Sequence, residues 1–517
     1  MSRSLLSAIK DHLNRMMLYN YKQSPWWKGV HVVAFTGLAL RLWLAFVSDS
    51  IYHPDELFQY LEQGHRMVFG YGYIPWEYRY GTRSYIIPGF VSGILFVCRL
   101  LQLENPIVYA MVVKAVCSVL SVSLIYFVYL IGRNIATETA ARLAAVFACI
   151  WYELIYFAHK PTPEILATYL LSGALVCLVR KPGYGNALLF GFLAGLTVAV
   201  RLQYSPVIAL AGGVACLAWK KNTLAAAGLA FLAVMGLAGL LDYYTWGHFF
   251  SFYYQNYLFN AVYKISLIYG TQPALYYLLT LTIASAGLVG LALMSGCLRP
   301  SMTWLPAACI LVNLGSHSLL AHKEYRFILV SIPLILLVAA IGLTEGLRKF
   351  ASDAVRKFFY AGIVAVVLLV SAAGLTGNLP YHHAVYAQPI VAKQDGLRAY
   401  TFLYHERNLA AILHLDEPWW KTGGYYTLHR NVPIYFPDHL LNSGIPLEEV
   451  HQYVSHIICK AGSPGLSGFK TLARIGTLEI RDQMNPPAQY SVIHADVQNV
   501  RQNEVEDRYA PTVRRRF

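Results

Sequence analysis

Charge is scarce in this chain. Only 13% of its 517 residues are Asp, Glu, Lys or Arg, against 56% hydrophobic residues, and the mean hydropathy is +0.44. A soluble protein of this size needs far more charge to cover its surface, so the composition indicates a polytopic membrane protein. Neither GxGxxG nor a phosphate-loop motif occurs, which disfavours an ATP-driven transporter. No internal repeat is evident, so the inverted-repeat pattern of many secondary transporters is missing too. Cysteine forms no pattern: Cys98, Cys117, Cys149, Cys177, Cys216, Cys297 and Cys309 lie in or beside apolar runs and Cys459 stands alone, giving neither a disulfide framework nor a metal set. The formal charge of +14 is spread over short groups such as Arg180-Lys181, Lys220-Lys221 and Arg348-Lys349. Such groups fit cytoplasmic connections beside an anionic leaflet, and no dense basic helix argues for nucleic acid.

What the chain has in abundance is apolar runs. They fall at about 29–48, 84–103, 107–132, 140–158, 164–180, 186–203, 205–219, 223–243, 273–297, 302–321, 326–344 and 358–376, which predicts eleven or twelve helices. The first 28 residues carry Arg3, Lys10, Arg15, Lys22 and Lys28 and read as a cytoplasmic amphipathic lead-in. Counting sides by the positive-inside rule puts residues 49–83, 242–272 and 317–327 on the external side, together with everything after 378. The count closes only if one run between 84 and 158 fails to cross, or if two runs make one bent helix. From 378 onward, charge and histidine replace the apolar runs. Short alternations such as Val432-Pro433-Ile434-Tyr435-Phe436 and Thr477-Leu478-Glu479-Ile480 predict a small α/β domain. The expected architecture is an all-α polytopic membrane domain over 1–377, with an external first loop at 49–83, and a C-terminal extramembrane α/β domain over 378–517.

Three segments could carry chemistry. In Tyr52-His53-Pro54-Asp55-Glu56-Leu57-Phe58-Gln59, two adjacent carboxylates follow a membrane span; charge there is costly unless used, and one acid with a raised pKa could act as a general base. The same residues also suit the start of a helix, with acids in its first turn. Asp242, Trp246, Asn256 and Tyr257 belong to an aromatic and amide-rich stretch that can stack on sugars, or simply form an interface belt. His322-Lys323-Glu324-Tyr325-Arg326-Phe327 sets three potential cations beside one anion, a set able to hold a phosphate; snorkelling at a helix end is the plainer reading. Lys160 and Arg201 are weaker signals of the same kind, and an intramembrane Arg201 needs an anionic partner or a ligand phosphate.

These segments, in this order and spacing, resemble the membrane mannosyltransferases that elongate lipid-linked glycans and glycosylphosphatidylinositol anchors, enzymes of the GT-C fold that use lipid-phosphate sugars. The resemblance rests on His53-Pro54-Asp55-Glu56 with Gln59, on Leu241-Asp242 through Asn256-Tyr257-Leu258-Phe259-Asn260 and Tyr269-Gly270-Thr271-Gln272-Pro273, and on His322 to Phe327. It implies Asp55 as the base with Glu56 as the near alternative, and His322, Lys323 and Arg326, with Arg201 and Lys160, near the donor phosphate. His53, Gln59, Asp242, Trp246, Asn256 and Tyr257 fall to the sugar or acceptor side. The implied reaction is inverting transfer of mannose from a polyprenyl-phosphate-mannose donor to a hydroxyl of a lipid-linked or membrane-associated glycan, among membrane lipids. A phosphomonoester leaving group carries little enough charge for side-chain cations to suffice, so no metal or cofactor is called for. The rival readings are a GT-C enzyme moving another sugar and a proton-coupled lipid or sugar transporter. The absence of a terminal retention signal and the scarcity of Asn-x-Ser/Thr sites lean toward a bacterial inner membrane with a periplasmic active site, the alternative being the endoplasmic reticulum membrane with a lumenal one.

Overall fold

The computed structural model describes residues 27–381, 385–386, 390, 393–464 and 466–493. The amphipathic lead-in, His382, His383 and the charged end beyond 498 lie outside the described residues, apart from Trp27 and Lys28. Every apolar run named above is helical. Their lengths are less uniform than the sequence suggested: among the described residues, five helices are long and apolar enough to cross a membrane, or up to seven if each of two bent pairs is one span. Ile86–Leu100, Pro163–Val179, Tyr184–Val200 and Leu202–Ala218 are shorter. The protein is an integral membrane protein.

The chain divides into two compact units, Met1–Val47 with Lys114–Val391, and Ser48–Val113 with Ala392–Phe517. The first loop, residues 49–83, falls in the same unit as the tail, together with helix Ile86–Leu100.

In the first unit, helices Tyr184–Val200 and Lys221–Trp246 meet along a strip of small residues. Gly191 lies directly against the backbone of Ala227, and a Cβ on Gly195 would stand 2.9 Å from Val234. Glycines four apart remove the side chains that would keep two membrane helices from close packing. The run expected at 140–158 is one of the bent pairs, Glu138–Ile150 and Tyr152–His159, at 58°. Trp151 is extended at the break, and the Tyr152 N–H donates to Ser371 Oγ at 3.3 Å. Arg41, the lone charge of the first span, lies fully buried and donates to the carbonyls of Ala148 (3.0 Å), Cys149 (3.2 Å) and its own Gly37 (3.0 Å). A buried guanidinium so placed satisfies carbonyls that a helix end leaves free, where the helix dipole is negative.

The second bent pair, Tyr276–Ala284 and Leu288–Cys297, turns through 105°. It borders an apolar cavity of about 330 Å³ whose walls include Leu281, Leu288, Ile332, Leu336 and Val367. Glu153 is the carboxylate on that wall, accepting from Trp151 Nε1 and Tyr386 OH at 2.7 Å each.

The second unit carries a five-stranded sheet in the order β2-β1-β3-β5-β4, with β1 Ile412–His414, β2 Ile434–Tyr435, β3 His456–Lys460, β4 Phe469–Ile475 and β5 Leu478–Gln483. β2, β1 and β3 are parallel, and β5 and β4 close the edge antiparallel. Leu413, Tyr435, Val454, Ile457 and Phe469 form its core, as the short alternations of the tail led one to expect.

The glycine strip yields a prediction. Gly191→Ala drives a methyl into the backbone of Ala227 and costs on the order of 1–3 kcal/mol. Gly185→Ala on the same helix meets nothing within 4 Å. Thermal melts in detergent are expected to show a lower midpoint for the first and an unchanged one for the second; equal midpoints refute the close contact.

Candidate active site

The second unit holds the acid pair. Asp55 occupies the N-cap position of a π-helical turn, Glu56–Leu61, which runs unbroken into helix Glu62–Phe69 and stops at Gly70 in the left-handed region. Glu56 is 3% exposed, and its Oε2 accepts the Tyr52 N–H at 2.9 Å. Asp55 keeps 18% of its side chain exposed, with its Oδ1 3.3 Å from His53 Nδ1. The Asp55 N–H also points to that Nδ1, at 3.2 Å. Of the two carboxylates, Asp55 is therefore the one with reach outward, while Glu56 braces its own loop. Gln59 is buried and engaged at both ends: it donates to Glu77 Oε1 at 2.7 Å and accepts from Arg83 Nε at 2.8 Å. Its amide holds the loop together.

Glu62, two turns on, escaped the sequence reading. It is fully buried; Oε1 accepts the N–H groups of Tyr73 (2.9 Å) and Tyr425 (3.1 Å), and Oε2 that of Tyr426 (2.8 Å). Burial pushes its pKa up to about 7 against the pull of the three N–H donors and of Arg66. Phe58 packs edge-on against Trp419 at 4.7 Å between ring centroids, Tyr109 OH donates to the Tyr426 carbonyl, and His65 Nε2 lies 3.0 Å from His429 Nδ1. Burial, followed by the neighbouring His429, lowers the His65 pKa to about 3.

The first unit holds the cations. Glu164, in the first turn of Pro163–Val179, is 1% exposed, with Oε1 3.1 Å from Arg201 and 3.7 Å from Arg326 Nε. Arg326 Nε also donates to Glu324 Oε2 at 2.6 Å, and both guanidinium groups lie over the Phe327 ring, at 4.7 Å for Arg201 and 5.6 Å for Arg326. His322 is bonded on both sides, Nδ1 to the Gly270 carbonyl at 2.9 Å and Nε2 to Glu324 Oε1 at 3.0 Å. Desolvation works against its charge, but these two acceptors outweigh it and raise the pKa. Lys323 Nζ donates to the carbonyls of Gln272, at 2.9 Å, and Leu320, tying the 322–327 segment to the 269–273 segment. Lys160 is buried with its ammonium 4.7 Å from the Tyr156 ring.

Two carboxylates, Glu164 and Glu324, thus face the guanidinium groups of Arg201 and Arg326 and the His322 ring, and the buried Arg201 Nε has no hydrogen-bond partner among the described residues. A buried guanidinium N–H left without an acceptor is costly unless a ligand supplies one. The anionic partner that Arg201 required is Glu164.

The aromatic stretch divides in two. Asp242 is buried, and its Oδ2 accepts the Phe252 N–H at 3.0 Å, so it joins the end of Lys221–Trp246 to the short helix Ser251–Tyr257. Asn256 is buried as well, and its carbonyl accepts Asn260 Nδ2 at 3.0 Å. Trp246, the last residue of the long helix, is half-buried, while the rings of Tyr244, Tyr254 and Tyr257 are exposed.

Glu62 gives a test by pH. Its folded pKa of about 7 lies above the unfolded carboxylate value of about 4.3, so its stabilisation is full below the unfolded value and is lost as pH rises through 7. The melting midpoint of wild type relative to Glu62→Gln is therefore expected to fall between about pH 5 and pH 7.5; a pH-independent difference refutes the shift.

Residues 32–429 match the model of the Alg9-like mannosyltransferase family. Among curated relatives, GPI mannosyltransferase 3 of Yarrowia lipolytica is 25% identical over 78% of this chain and 79% of its own length. The protein of the same name from Drosophila melanogaster is 26% identical over 81% and 78%. Among solved structures, ArnT of Cupriavidus metallidurans bound to undecaprenyl phosphate superposes with a TM-score of 0.59 at 12% identity, covering 87% of this chain and 97% of that one. The archaeal oligosaccharyltransferase AglB of Archaeoglobus fulgidus, in complex with an inhibitory peptide and a dolichol-phosphate, gives 0.50 at 12%, covering 84% and 69%. The helical membrane fold with a small C-terminal sheet is of the GT-C type, and the chain belongs to the Alg9-like mannosyltransferase family.

Proposed function

We propose that this mannosyltransferase takes its sugar from a polyprenyl-phosphate mannose and transfers it, with inversion, to a hydroxyl of a glycosylphosphatidylinositol-type glycolipid. The observation that carries the donor class is the pair of guanidinium groups gathered around Glu164 and Glu324, with the buried Arg201 Nε left without a partner among the described residues. A lipid phosphate there supplies that N–H with an acceptor. The acceptor class is taken from the relatives, which are named GPI mannosyltransferases, one of them from Danio rerio as a GPI alpha-1,2-mannosyltransferase.

In this reading the acceptor oxygen attacks the anomeric carbon while the bond from that carbon to the phosphate oxygen breaks. The electron pair leaves with the lipid phosphate, and the hydroxyl proton passes to Asp55. Arg326 and Arg201 stabilise the departing phosphate, with His322 and Lys323 setting the field around them and Lys160 assisting. An α product by single displacement requires a β-linked donor. His53 fixes the orientation of Asp55, and Gln59 and Glu56 hold the loop. Tyr257 and Trp246 offer rings to the acceptor sugars, and Asp242 and Asn256 support them. The apolar cavity beside the second bent pair is assigned to the prenyl chain.

The leaning toward a bacterial inner membrane finds no support, because the relatives come from eukaryotes such as Yarrowia lipolytica and Drosophila melanogaster. We place the protein instead in the endoplasmic reticulum membrane with a lumenal active site.

Asp55→Asn is expected to lower transfer by about a hundredfold or more in a reconstituted assay with purified lipid donor, without altering donor binding; near-wild-type turnover refutes the base. Arg326→Ala is expected to cut kcat/KM for the donor by about tenfold or more while the acceptor KM stays within about twofold; unchanged donor kinetics refute the phosphate role.

A further inference from the structure

The turn that carries Asp55 is an unusual one, and the tail is built around it. A π-helical turn is rare, appears mostly as a single turn within an α-helix, and is frequent at functional sites. Here Glu56 bonds the Tyr52 N–H at its start, and the Gln63 side chain donates to the Phe58 carbonyl at 2.9 Å within it. At its end stands Glu62. Two of the three N–H groups that Glu62 accepts, those of Tyr425 and Tyr426, come from the tail, as does the Trp419 ring against Phe58. The tail turn that presents these N–H groups needs Gly424 at φ +60°, and a Cβ there would stand 2.8 Å from Glu62 Oε2.

We propose that the tail segment Trp419–His429 is a working part of the catalytic loop, with Glu62 as the positioning residue through which it holds the π-helical turn, and hence Asp55, in its reactive register. The inference rests on the reading of Asp55 as the base. Without the clamp, the turn relaxes toward α-helix, and each residue of register lost swings Asp55 by roughly 100° about the helix axis relative to Glu62. Glutamine cannot replace Glu62, because its amide NH₂ must face at least one backbone N–H donor.

The test is kinetic and approaches the contact from both sides. Glu62→Gln from the loop and Gly424→Ala from the tail are each expected to lower kcat about tenfold or more while the donor KM stays within about twofold. The Glu62→Ala/Gly424→Ala pair is expected to be no slower than Glu62→Ala alone, because once Glu62 is truncated the tail turn has no carboxylate to hold, and its own strain at Gly424 no longer reaches Asp55. A role confined to folding would lower the melting midpoint and the yield of folded enzyme but leave kcat per folded molecule intact, and that result overturns the proposal. So does a double variant whose losses multiply. Should Glu62→Gln fail to fold, Trp419→Ala removes only the ring against Phe58 and is expected to lower kcat in the same way, wild-type kcat counting against the clamp. A wild type that makes no mannosylated product refutes the proposed function itself; an active wild type with unaffected variants refutes only this inference.

Discussion

A carboxylate taken out of water must find donors or a counter-charge, and each compact unit of this protein is built around one that has done so. In one unit Glu62 collects backbone N–H groups from the first loop and from the tail, drawing segments more than three hundred residues apart into one packed body. In the other Glu164 draws Arg201 and Arg326 together at the ends of separate helices. An unpaired buried charge costs several kcal/mol, so these geometries are strongly determined. Loop, tail and helix ends are arranged to satisfy them.

The two buried acids also differ in a way that suits different work. Backbone N–H groups cannot move or titrate, so Glu62 acts as a fixed peg. Glu164 meets the guanidinium groups of two side chains, Arg201 and Arg326, the second of which it shares with Glu324. Asp55, by contrast, keeps part of its surface open, as a group that must exchange a proton with a substrate has to.

Much of this was legible in the residues. The twelve apolar runs are helical, the tail alternations are strands, and Arg201 demanded a partner. Several assignments change meaning once the contacts are known. Glu56 accepts from the Tyr52 N–H, and Gln59 bonds Glu77 and Arg83, contacts within the first loop that the sequence does not announce. Asp242, which the sequence placed on the sugar or acceptor side, also joins two helices through its carboxylate. Nothing in the run Glu62-Gln63-Gly64-His65 marks Glu62, because its donors are backbone groups, and the identity of a side chain carries no record of them. The lone Arg41 likewise gave no hint of the broken helix whose carbonyls it caps.

By itself the sequence determined what depends on composition and local pattern: a membrane protein, because so little charge cannot cover a soluble fold, and a family, because three short motifs keep their order and spacing. Only the tertiary structure decided which acid stays open, which cations gather around Glu164, and that the tail belongs with the first loop. Those are matters of distance between segments remote in the chain. A hydrogen bond or ion pair is decided within about 4 Å, a scale on which sequence separation has no bearing.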